Sequence, residues 1–139
     1  MDLKTDRVLN EDDIRAYRIL VVDDEPDICW AIENALGLHG YTVRTVNSAE
    51  EGLRVVSKGC YDLAFIDAKL PSMDGLELAS HIRGSYSKTA VVLMSAYYYS
   101  QDSVISNRLE NGTFVDFMAK PFDVKEILEL TERALRDER

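Results

Sequence analysis

Short apolar runs recur along the chain, and stretches with helical spacing separate them. Arg18–Val22, Asp62–Asp67 and Ala90–Met94 are each dominated by consecutive apolar residues. Such runs are typical of strands buried on both faces of a sheet. Alternation and β-branching predict another strand at Tyr41–Val46, and a fifth is predicted at Phe114–Met118.

Helical patterns lie between these strands. Pro26 opens the first helix, whose apolar face continues to Leu36, and the glycines at 37 and 40 are expected to end it. Ser48 and Glu51 form a capping box for a helix that runs through Lys58. Further helices are predicted at Gly75–Ile82, Ser103–Leu109 and Val124–Leu135.

Five apolar strands alternating with helices imply parallel pairing, because each crossover returns the chain to the same end of the sheet. The prediction is a doubly wound α/β fold. One domain is expected over residues 18–139, since 139 residues suit a single domain. Residues 1–17 are polar and are interpreted as an N-terminal extension, with a pattern that favours a short helix at about 11–17.

Composition excludes several functional classes. The 25 acidic residues against 16 basic ones give a formal net charge of −9, and no basic cluster offers a nucleic-acid surface. No apolar run approaches the length of a membrane span, and the polar N-terminus does not resemble a signal peptide, so a cytoplasmic location is the default expectation. Cys29 and Cys60 lack metal-ligand spacing and are interpreted as reduced thiols.

Polar residues follow the predicted strands where a doubly wound sheet binds its ligands. They are Asp23 and Asp24 after the first strand, Asp67 after the third, Ser95 after the fourth and Lys120 after the fifth. Ligands bind beyond the carboxyl ends of such strands, so we expect these side chains to converge. Considered alone, Asp23 and Asp24 have an equally good alternative role, which is to end the strand and cap the next helix.

The expected set supplies a nucleophile, a metal site and positive charge. Asp67 stands at the end of a buried central strand and is the best candidate to accept a phosphoryl group as an acyl phosphate. Asp24, Asp67 and a backbone carbonyl suit Mg²⁺, which prefers oxygen ligands. The Lys120 ammonium and the Ser95 hydroxyl would each meet a phosphoryl oxygen.

These residues stand in motifs that identify a family. The chain resembles a bacterial two-component response-regulator receiver domain over about Arg18 to Arg136. The matching motifs are Ile19–Pro26, Asp62–Asp67, Leu70–Gly75, Ser95-Ala96 and Lys120-Pro121-Phe122. The resemblance implies a flavodoxin-like sheet with strand order 2-1-3-4-5.

The resemblance also assigns roles. It implies that Asp67 takes a phosphoryl group from a phosphohistidine on a sensor histidine kinase or phosphotransfer protein. It implies direct Mg²⁺ ligation by Asp24 and Asp67 and a contribution from Asp23 largely through a bound water. The Lys69 backbone carbonyl would complete the protein ligands. The family is a signalling switch that catalyses its own phosphotransfer and dephosphorylation, and it is not a conventional turnover enzyme.

A conformational switch is implied by the same resemblance. The Lys120-Pro121 bond would be cis, Ser95 would move toward the phosphoryl group, and Phe117 would fill the space that Ser95 leaves. The surface formed by helix 103–109, the fifth strand and the closing helix would then change. That surface is where an output domain, a partner protein or a second copy in a homodimer is expected to bind.

Two departures from the family pattern concern residues beside the site. Lys69 follows Asp67 by two positions, and three consecutive tyrosines begin at Tyr97. We expect Lys69 and Tyr97 to tune the lifetime of the phosphoryl group. The tyrosines are otherwise interpreted as loop or interface aromatics.

Two other functions compete with the phosphorylation switch. A Mg²⁺-dependent phosphatase of the haloacid dehalogenase type also forms an aspartyl phosphate, but it needs an Asp general acid where this chain has Lys69. A degenerate receiver would act only as a docking surface, yet every acidic, hydroxyl and lysine position is filled. A single-domain regulator and the receiver part of a longer regulator both remain open.

Overall fold

The computed structural model describes residue 10, residues 16–86 and 88–96, residue 112 and residues 116–136. The strands are β1 (Arg18–Val22), β2 (Thr42–Val46), β3 (Leu63–Asp67), β4 (Ala90–Ser95) and β5 (Asp116–Ala119). The helices of the described part are α1 (Pro26–Leu38), α2 (Ala49–Lys58), α3 (Gly75–Ser85) and α4 (Val124–Arg136).

The strands form one parallel sheet in the order β2-β1-β3-β4-β5, which confirms the predicted fold class. Successive residues of β3 face opposite sides of this sheet. Phe65 belongs to one apolar cluster and Ile66 to the other, and both are fully buried. Helices therefore cover both faces, as the continuous apolar runs predict.

Local sequence signals account for most helix boundaries. The capping box is confirmed at α2, where the Ser48 side chain accepts a hydrogen bond from the backbone N–H of Glu51. α1 ends at Leu38, within the predicted range between the glycines at 37 and 40. The chain turns at Gly40, whose φ of 96° is readily adopted only by glycine.

Several predictions fall wholly or mostly outside the described residues. They are the helix at 103–109, most of the helix at 11–17, Tyr97 with its neighbouring tyrosines, and the start of the fifth strand at 114–115. Cys29 and Cys60 are free cysteines. None of the described helices combines the length and apolar character needed to cross a lipid bilayer.

Candidate functional site

The carboxyl ends of β1, β3 and β5 bring three predicted site residues together. Asp23 follows β1 and is fully buried, while Asp67 is the last residue of β3 and is 6% exposed. Lys120 follows β5, and its backbone N–H donates to the Ser95 carbonyl at 2.7 Å. The side chains of Asp23, Asp67 and Lys120 share one contact network because parallel strands end at the same edge.

Lys120 lies at the centre of this network. Its Nζ atom is 2.8 Å from Asp23 Oδ2, 2.8 Å from Glu25 Oε1 and 3.4 Å from Asp67 Oδ2. The peptide bond between Lys120 and Pro121 is cis, as the family resemblance implied. One buried ammonium group therefore forms ion pairs with three carboxylates.

The turn after β3 fixes the position of Asp67. Asp67 Oδ1 accepts a hydrogen bond from the backbone N–H of Lys69 at 3.2 Å. The N–H of Gly75 donates to the carbonyl of Ala68 at 2.9 Å, so the start of α3 lies directly against the end of β3. A β-carbon at Gly75 would lie 2.7 Å from Ala68 Cα and closer still to the carbonyl oxygen of Asp67. Glycine is required here by this close backbone approach.

Burial changes the pKa values of the charged side chains in the site. It raises the pKa of Asp23 above its usual value, an effect that contact with Lys120 and a backbone hydrogen bond from Glu25 partly oppose. Burial likewise raises the pKa of Asp67, and the charge of Asp24 adds to that rise. Burial alone would lower the pKa of Lys120, but its contacts with Asp23 and Glu25 outweigh that effect and raise it.

The raised pKa of Asp67 predicts a pH-dependent stability difference. Between the unfolded pKa near 3.8 and the higher folded pKa, the folded protein holds a proton that the unfolded chain releases. The contribution of Asp67 to stability is therefore present at low pH and lost as pH rises. Urea denaturation of the metal-free protein should show the stability of Asp67→Asn rising relative to that of wild type as pH increases from about 4 toward neutrality. A difference that stays constant over this range would contradict the prediction.

Asp24 and Ser95 are not among the described side chains that form ion pairs with Lys120. Asp24 is exposed and lines a cavity of about 330 Å³ together with Asp23, Cys29 and Trp30. Ser95 is buried at the end of β4. The metal-ligand roles of Asp24 and of the Lys69 carbonyl remain predictions.

The predicted switch aromatic lies within the sheet. Phe117 is half-buried in β5, is paired with Leu93 of β4, and packs against the apolar cluster that contains Leu93. Its response to phosphorylation remains a prediction.

Sequence reasoning missed Glu25, which the structure places in the site. Oxygen atoms of Asp23, Glu25 and Asp67 lie within 4.8 Å of one another, a spacing that could hold a metal ion. The available signal was the third acid of the Asp23-Asp24-Glu25 run, whose function was assigned only to the first two.

Comparison with protein families and curated proteins gives a consistent result. A family model described as the response regulator receiver domain matches residues 19–132. The transcriptional regulator NtrC of Proteus hauseri is 34% identical over 117 residues, which are 84% of this chain and 24% of that protein. The uncharacterized transcriptional regulatory protein YkoG of Bacillus subtilis is 35% identical over 118 residues, 85% of this chain and 50% of that protein. The chain thus spans half or less of the length of these relatives.

Solved structures give the same result. A CheY-like receiver domain from Methanospirillum hungatei superposes with a TM-score of 0.79 at 28% identity, covering 87% of this chain and 94% of that one. The response regulator TrrA of Thermotoga maritima, solved in complex with Mg²⁺-BeF, gives a TM-score of 0.74 at 33% identity. That match covers 86% of this chain and 99% of TrrA.

Proposed function

This chain belongs to the response regulator receiver domain family, whose typical role is that of a phosphorylation switch in two-component systems, and on that premise we propose that Asp67 is its phosphoryl acceptor. One observation carries the proposal. The Asp67 carboxylate ends a central strand 3.4 Å from the Lys120 ammonium, inside a cluster of acidic side chains. A nucleophile, a positive charge and a metal-binding set are thus combined at one edge of the sheet.

The proposed donor is a phosphohistidine of a sensor histidine kinase or phosphotransfer protein. An oxygen of Asp67 attacks the phosphorus, the P–N bond to the histidine breaks, and a P–O bond to Asp67 forms. Lys120 stabilises the negative charge on the phosphoryl oxygens, and the Ser95 hydroxyl donates a hydrogen bond to one of them. The domain catalyses its own phosphorylation and dephosphorylation and turns over no separate substrate.

Mg²⁺ fits the donor set of this site. Asp23 Oδ2 is buried and makes no hydrogen bond within the described residues, although it forms an ion pair with Lys120. A buried carboxylate oxygen of this kind suits a hard cation or its water ligand. Asp23, Asp24, Asp67 and the Lys69 carbonyl would hold the ion. When bound, it supplies positive charge that offsets the mutual repulsion of the acids and the charge of the phosphoryl group.

We infer that phosphorylation changes the surface formed by the predicted helix 103–109, β5 and α4, and that a binding partner recognises the change. Ser95 and Phe117 would link this surface to the site, because they lie on the adjacent strands β4 and β5. A downstream output domain, a separate partner protein or a second copy would bind there. The match to longer transcriptional regulators supports the binding of an output domain or partner at this surface. Their regulatory role also supports a cytoplasmic location. The domain itself is proposed to make no direct contact with nucleic acid.

Acetyl phosphate, a small-molecule donor, tests the proposed function. With MgCl₂, the protein is expected to gain one phosphoryl group per chain that is stable in acid and labile to hydroxylamine, as an acyl phosphate is. Intact-mass spectrometry measures the gain, and chelation of Mg²⁺ with EDTA should prevent it. Repeated release of phosphate from a phosphate monoester, without a stable phosphorylated form, would indicate a phosphatase and contradict the proposal.

A further inference from the structure

The Lys120 ammonium is shared unequally among its three carboxylate partners. It is 2.8 Å from both Asp23 Oδ2 and Glu25 Oε1, but 3.4 Å from Asp67 Oδ2. The contact with Glu25 is a hydrogen bond. Lys120 therefore lies closer to Asp23 and Glu25 than to Asp67, the side chain that it must help during phosphorylation.

The three carboxylates differ in the free-energy cost of losing their contact with Lys120. The side chain of Asp23 is fully buried and that of Asp67 is 8% exposed, whereas that of Glu25 is 60% exposed. A buried carboxylate that loses its counter-charge is strongly destabilised. An exposed one is rehydrated at little cost. Glu25 is consequently the partner that Lys120 exchanges most readily.

We propose that Glu25 is a positioning residue that restrains Lys120 in the unphosphorylated protein and releases it when a phosphoryl group reaches Asp67. This inference rests on the proposed function of Asp67. A phosphoryl oxygen competes with the Glu25 carboxylate for the ammonium, and the displaced carboxylate returns to water. Glu25 thereby slows the gain of the phosphoryl group, and it contributes nothing to its loss because the restraint is already broken.

The rate of phosphorylation by acetyl phosphate tests the restraint in the full chain. The Mg²⁺ affinity of each protein is first measured by isothermal titration calorimetry, and all rates are then taken at saturating MgCl₂. Glu25→Gln is expected to become phosphorylated about two- to fivefold faster than wild type, the range that corresponds to losing one exposed ion pair. Its rate of dephosphorylation should match that of wild type. Faster phosphorylation with unchanged dephosphorylation distinguishes a restraint on Lys120 from a general structural effect.

Asp27→Asn is the matched control. Asp27 is exposed in the first turn of α1, two residues from Glu25, and it makes no ion pair within the described residues. This variant removes the same charge as Glu25→Gln and should be phosphorylated at the wild-type rate. Equal acceleration in both variants would show that net charge, not contact with Lys120, controls the rate, and it would overturn the proposal.

Side-chain motion provides a readout without metal or phosphoryl donor. In metal-free protein, ¹³C relaxation of the Lys120 ε-carbon should report faster motion in Glu25→Gln than in wild type or Asp27→Asn. Unchanged motion, or phosphorylation of Glu25→Gln no faster than wild type, would overturn the restraint while leaving Asp67 as acceptor. Failure of the wild-type protein to gain a phosphoryl group would instead overturn the proposed function, and the restraint with it.

Discussion

Asp67→Asn is expected to abolish phosphorylation by acetyl phosphate and to stabilise the metal-free protein at the same time. The amide cannot form an acyl phosphate, so the gain of one phosphoryl group should disappear completely. Removing a buried carboxylate whose pKa burial has raised relieves an unfavourable charge. A gain of about 1 kcal/mol would raise Tm by about 4 °C in a domain of this size. Intact-mass spectrometry and a thermal melt measure the two effects.

Asp62→Asn provides a control near the opposite end of the same strand. Asp62 immediately precedes β3, and its side chain accepts a hydrogen bond from the backbone N–H of Arg18, which an Asn carbonyl can also accept. This variant should gain its phosphoryl group as wild type does. If Asp67→Asn still acquired a hydroxylamine-labile group, the acceptor would be another residue. If Asp67→Asn melted below wild type, the argument from burial would be wrong.

Gly75→Ala is expected to destabilise the fold by about 2–4 kcal/mol, at or above the usual cost of overpacking a core. The added β-carbon would meet the backbone of Asp67 and Ala68, with Ala68 Cα at 2.7 Å. Backbone atoms at the end of a fully buried strand cannot yield as the tip of a flexible side chain can. The turn must shift, and because the shift displaces Asp67, phosphorylation should slow as well. Urea denaturation measures the loss of stability.

Gly84→Ala makes the same change near the other end of α3. Gly84 is exposed, and a β-carbon there would meet nothing within 4 Å. We expect this variant to gain about 0.5–1 kcal/mol, since alanine favours the helix over glycine. Two variants of similar stability would show that the close contact at Gly75 can relax without cost.

The sequence predicted the sheet well because burial on both faces leaves a strong local signal. Continuous apolar residues in β3 and β4 reflect helices on each side, and the Ser48 capping box marks a helix start through a local hydrogen bond. Spacing alone leaves the last residue of α1 open between the two glycines, because a glycine within a helix, such as Gly37, costs only about 1 kcal/mol, which packing easily offsets.

The site could be predicted only as far as strand ends determine it. Asp23, Asp67 and Lys120 were placed correctly at one edge because the parallel topology brings their strands to the same end. Glu25 could not be predicted in the same way. Its contact with Lys120 spans 95 positions and depends on side-chain directions within two turns, which residue spacing does not report.

The position of β5 at the margin of the sheet has a mechanical consequence. Among the described strands, β5 pairs with β4 alone, whereas β3 pairs with a neighbour on each side. Displacing a marginal strand disturbs one row of backbone hydrogen bonds, but displacing a central strand disturbs two. The chemistry proposed for Asp67 would thus take place on a strand held on both sides, whereas Phe117 lies on a strand that is more easily displaced. If phosphorylation shifts the end of β3, the larger resulting movement is expected in β5.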